Sequence, residues 1–193
     1  MLFMAWMQNG GKYDFPFACT YINNIIQSNP SSIANNIHPL NNSDMCFYGN
    51  LTYSNLNTLI SKFNTINIRD CYKERMGNYK LYRCKFPHEG LASCFGGDVG
   101  FPTKESGGTF FRYNLLFYWL TYKFKIWDDV DYKKGLIPCN DYIFEKAYKM
   151  GITKKKMKSS LKNTIELTRI AHSWFGSDDF YKMFELLQCY KIT

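Results

Sequence analysis

A chain of 193 residues is long enough to bury one hydrophobic core and short for two, so the sequence predicts a single domain over 1–193. Hydrophobic residues make up 46% and aromatic residues 18%, which excludes a disordered chain, since such chains lack the apolar surface to offset conformational entropy. The formal net charge of +8 is unevenly placed, and a basic excess of that kind attracts phosphates and anionic surfaces.

Residues 8–65 are polar and rich in asparagine and serine. Within them Ile22, Ile25 and Ile26, then Leu56, Leu59, Ile60 and Phe63, recur at helical spacing, and 46–48 fits a strand. The runs 65–69 and 79–86 are short, rich in isoleucine or tyrosine and bounded by turn residues, which predicts strands of a small antiparallel sheet. Glycines from 90 to 108 predict a loop or tight hairpin, because their spacing matches no phosphate loop. The run 113–124 sets Leu116, Trp119, Leu120 and Phe124 at helical spacing and predicts a core helix ended by Trp127-Asp128-Asp129. A short helix over 142–150 closes at Gly151, and a further helix from about 154 to 172 carries Met157, Leu161, Ile165 and Leu167 on its apolar side. Ser177-Asp178-Asp179 reads as the cap of a last helix over 180–187, with Phe180, Phe184 and Leu187 inward. The expected fold class is α+β, a small antiparallel sheet packed against several helices.

The seven cysteines, at 19, 46, 71, 84, 94, 139 and 189, include no Cys-x-x-Cys pair. That argues against a disulfide scaffold and a zinc knuckle, and it predicts free thiols, a reducing compartment, no metal and no cofactor. Residues 1–7 are apolar but lack a basic leader, so they do not read as a signal peptide; 113–127 contains Lys123 and Lys125 and is too short to span a bilayer. The expectation is a soluble, intracellular, cytoplasmic protein without a membrane span.

Cys139 precedes the 142–150 helix, where the helix dipole lowers a thiol pKa and favours the nucleophilic thiolate. It is the sequence's candidate nucleophile for acyl transfer on an amide, thioester or ester, with backbone amides at the helix start as oxyanion donors. The same cysteine also fits a small apolar residue filling a corner, with Asn140 or Asp141 as cap. A base must come from three histidines, His38, His88 and His172, and the pattern alone does not choose among them.

Tyr113-Asn114-Leu115-Leu116, the apolar helix that follows, Trp127-Asp128-Asp129, and Cys139-Asn140-Asp141-Tyr142 running on to Ala147 and Gly151-Ile152 together resemble the circularly permuted papain-like hydrolases of the NlpC/P60 superfamily, YiiX-like group. The resemblance covers about 110–152, and faintly 167–187, where the family often has a short terminal helix; it implies a permuted papain-like fold, Cys139 as nucleophile and an upstream histidine as base. His38, 101 residues before Cys139, has the fitting separation but is followed by Pro39; His88, 51 residues before it, sits in the setting His-x-Gly after an expected strand. The family's Ser-Glu after the cysteine is Asn140-Asp141 here, and Ser32 stands where its histidine would fall if 30–34 is the matching segment, which implies an inactive relative.

From 145 to 162 there are seven lysines (146, 149, 154, 155, 156, 158 and 162) against Glu145, a local excess of +6. Lys154, Lys155, Lys156 and Lys158 are the candidate contacts to nucleic acid or another anionic partner, in a helix, turn, helix outline across 145–158. A solvated face that only aids solubility has the same composition. A structural or interaction protein using its aromatic surplus is the third reading.

Overall fold

Asparagine side chains start the first two helices of the described residues. Asn67 Oδ1 accepts from Asp70 N at 3.3 Å and opens α1 (Ile68–Gly77), while Asn78 Oδ1 accepts from Leu81 N at 3.2 Å and opens the single-turn α2 (Tyr79–Tyr82). These contacts come from a computed structural model that describes residues 67–95 and 108–190. Helix α2 ends where Arg83 turns left-handed at φ 51°. Pro87 occupies the first position of α3 (Pro87–Phe95), where its missing N–H is not needed, and Glu89 Oε2 accepts from the backbone N of Lys85 and Phe86.

No strand occurs among the described residues, which overturns the expected α+β class and its antiparallel sheet. Of the two runs expected to be extended, 68–69 belongs to α1 and 79–82 forms α2, with 83–86 irregular. Side-chain caps decide this: each asparagine satisfies an otherwise orphaned helix N–H, and a short tyrosine-rich run has too weak a strand preference to compete without a partner strand. Gly90, expected in a hairpin, lies inside α3 against Met76 and Tyr72 of α1. The sequence clusters at 22–26, 46–48 and 56–63, and residues 96–107 of the glycine-rich stretch, lie outside the described residues.

Helix α4 (Phe111–Tyr118) continues as a π-helical turn, Trp119–Lys123. Thr121 Oγ1 donates to Phe117 O at 2.7 Å and Phe124 N reaches Trp119 O at 3.0 Å, so the widened turn is held by its own hydroxyl. Trp127 then returns to the core against Tyr72, ring centroids 5.2 Å apart. Asp129 straps the turn to α1 by accepting from Lys73 and Arg69, which hold its carboxyl down at about 2.

After a 3₁₀ turn at Tyr132–Lys134 the chain runs through the core in extended form, with 135–139 all buried and no partner strand. Gly135 N donates to Tyr132 O at 2.9 Å, Ile137 N donates to Thr168 Oγ1 at 3.1 Å, and Pro138 has no N–H to satisfy. Asn140 Oδ1 accepts from Ile143 N at 2.9 Å and starts α5 (Asp141–Lys149). Helix α6 (Leu161–Asp179), capped by Ser160 and broken at Gly176 (φ 76°), and α7 (Lys182–Cys189) complete the order. The α6 start lies seven residues later than the sequence predicts, and its fully buried face is Thr164, Leu167, Thr168 and Ala171. A helix over 154–162 would set Lys154 against Lys158 and Lys158 against Lys162 one turn apart as like charges, and Ser160 supplies the cap. Helix α1 packs on α3, α3 on α4, and α7 on both α5 and α6, with Phe180, Phe184 and Leu187 inward as expected.

Gly135 is required for room, not for its dihedrals. A Cβ there would meet Tyr181 Oη at 2.1 Å and the Phe117 ring at 2.9 Å. Gly135→Ala should lower urea stability by about 1–3 kcal/mol, the ordinary cost of overpacking, and an unchanged midpoint would show that Tyr181 can withdraw. Thr168→Val keeps the shape but strands the Ile137 N–H, so a loss of about 1–3 kcal/mol is expected in the same assay, and a neutral substitution would mean that the amide finds another acceptor.

Candidate anion-binding site

Cys139 is 0% exposed, enclosed by the core that its own extended passage crosses. Burial pushes its thiol well above the ordinary range, and the contact with Thr164 on α6 only partly opposes this. The helix start does not make it a thiolate because its surroundings are apolar; it packs as a small hydrophobe. Asn140 rather than Asp141 is the cap, so the Cys-Asn-Asp sequence is explained by an extended residue, a cap and the first helical residue.

The histidines are accounted for separately. His88 is 0% exposed on α3, its ring 5.5 Å from Phe86 in a stacked arrangement and 4.5 Å from Phe110. It follows a loop and opens a helix, not the end of a strand. His172 stacks on Phe180 at 4.4 Å, and partial burial lowers its pKa. His38 lies outside the described residues. The Cys139 thiol hydrogen-bonds to Thr164 on α6.

The lysine-rich stretch divides into three environments. Lys146 is 2% exposed, because it shares the inward face of α5 with Ile143 and Ala147. Lys149 pairs with Glu145 at 3.7 Å, one helical turn away. Lys154, Lys155, Lys156, Lys158 and Lys162 are exposed and join no ion pair with the described residues. The helix, turn, helix outline is corrected here: α5 and α6 are separated by eleven residues, 150–160, in place of a tight turn.

That loop is pinned from inside. Gly151 adopts φ 72°, and the backbone N of Ile152 and Thr153 both reach Ala147 O, at 2.9 and 3.2 Å. Ile152 and Thr153 are buried, Met157 packs against the core, and Thr153 Oγ1 donates to Lys155 O at 3.0 Å. Asn163 Nδ2 donates to Lys158 O at 2.7 Å, and Ser159 Oγ donates to Asp141 Oδ1. With its apolar side chains turned in, the loop holds its lysines outward. An array of ammonium groups of this kind can bind phosphates, and phosphate contacts carry no sequence information.

Lys146, one of the seven lysines of the basic stretch 145–162, is thus set apart from the others by burial. The available signal was its register, three residues after Ile143 on an apolar stripe. Among the described residues no helix is long and apolar enough to cross a membrane, and no three His, Cys, Asp or Glu side chains gather as metal ligands.

Brief iodoacetamide treatment of the folded protein should modify the exposed Cys189 and leave Cys139 unlabelled, even when the pH is raised to the ordinary thiol value of about 8.5. Peptide mapping that found Cys139 alkylated as fast as Cys189 would contradict its burial. No family model, no curated protein and no solved structure matches the chain.

Proposed function

We propose that the chain is a basic binding protein that docks on the phosphate backbone of a nucleic acid through the loop 150–160 and the first turn of α6. The observation that carries this reading is the set of five exposed lysines, 154, 155, 156, 158 and 162, in no ion pair with the described residues. Counterion release from the polyanion supplies the driving force, and the pinned loop reduces the ordering entropy of binding. Sequence-independent contact is expected, since contacts to phosphate position a duplex without reading it. The buried, protonated thiol of Cys139 supports binding over acyl transfer.

The test is fluorescence anisotropy with a labelled duplex and a labelled single strand. Affinity should fall by up to about two to three orders of magnitude between roughly 50 and 200 mM salt if all five lysines engage. Replacing Lys154, Lys155, Lys156 and Lys158 together by glutamine should flatten that dependence without moving the melting temperature, because all four side chains are exposed. Salt-independent binding, or binding unchanged in the quadruple variant, would sink the reading; equal affinity for polyglutamate would redirect it to an acidic protein.

A further inference from the structure

Lys146 is the described lysine whose position solubility does not explain. Its side chain lies in the wall of a cavity of about 640 Å³ between α4, α5 and α7, a volume in the range of sites for drug-sized ligands. Leu115, Trp119, Phe124, Tyr142 and Phe184 line it as well. Phe124 and Tyr142 are exposed, so the cavity opens to solvent.

The charges in the wall are unequal. Lys123 Nζ and Tyr118 Oη both donate to Glu185 Oε1, each at 2.7 Å, and although burial pushes the Glu185 carboxyl up, these two bonds hold it below its usual value. That pair neutralises itself. Lys146 Nζ donates to Gln188 O at 3.0 Å and sits 4.4 Å from the Tyr142 ring centroid, with no carboxylate partner among the described residues. A backbone oxygen and a ring face leave a buried ammonium short of the opposite charge that usually accompanies one.

We propose that this cavity binds a monocarboxylate with a flat aromatic body, its carboxylate on the Lys146 ammonium and its rings among Trp119, Phe124, Tyr142 and Phe184. One uncompensated cation matches one negative charge, and with the Glu185 carboxylate in the same wall the extra charge of a phosphate is disfavoured. Aromatic walls favour an aromatic body through edge and face contacts. The site is independent of the lysine loop. The competing account gives Lys146 only a structural duty, capping the last carbonyls of α7.

The probes are 1-pyrenebutyrate and its uncharged counterpart 1-pyrenebutanol, with energy transfer from tryptophan to pyrene as the signal, because Trp119 lines the cavity. Wild-type protein should bind the carboxylate at least about tenfold more tightly than the alcohol, the scale of a charge-assisted hydrogen bond. Lys146→Met should bind both equally, and Lys146→Arg should keep the preference. Equal binding of both probes by wild type, binding of neither, or a preference that survives in Lys146→Met would each overturn the proposal. If Lys146→Met does not fold, the wild-type ratio and Lys146→Arg still decide it: a preference present in wild type and lost in the arginine variant would also count against a simple charge contact.

Discussion

The rest of the structure depends on the passage of 135–139 through the core. An extended segment buried on all sides without a sheet has nowhere to place its backbone polar groups, and leaving one unpaired costs as much as a lost hydrogen bond. Thr168 on α6 meets that need at Ile137, Pro138 removes a donor, and Gly135 lets Tyr181 and Phe117 close over the chain. The passage delivers Asn140 to cap α5 and buries Cys139 beside Thr164. Threonines on the inward face of α6, which look misplaced in a hydrophobic stripe, are there as acceptors and close neighbours of this segment.

The aromatic surplus works around the same axis. Tyr72 on α1 touches Phe117 and Trp127, while Tyr181 touches Tyr118 and Phe180, so rings from both ends of the described chain converge on α4. Outside this core the Arg69, Lys73 and Asp129 cluster fixes the 126–129 turn to α1. Those charges are exposed, and their contribution is local alignment more than net stability.

Charge is sorted by the fold into different tasks. Of seven neighbouring lysines, one is taken into a cavity wall, one is spent on a helix pair and five stay in water. The loop lysines act as a delocalised field that salt screens. Lys146 acts at one point in a poorly solvated wall, where a single opposite charge matters far more.

Periodicity in the sequence determined that 113–124, 142–150 and 180–187 contain helices, that Gly151 ends one of them, and that Phe180, Phe184 and Leu187 face inward. Ser177-Asp178-Asp179, expected to cap the last helix, instead forms the end of α6, and α7 starts after Tyr181 without a side-chain cap. Signals for helix at 67–95 were also present, in Asn67, Asn78, Pro87 and Glu89, but short tyrosine-rich runs resemble strands until a partner is sought and not found. Tertiary structure alone decided the fates of Cys139 and Lys146. A helix-start cysteine is reactive or inert according to its solvation, and a lysine in a basic run is surface or wall according to which helix covers it. Solvation at one atom depends on elements distant in the chain, here α6 over Cys139 and α7 over Lys146, and residue spacing along one segment carries no record of them.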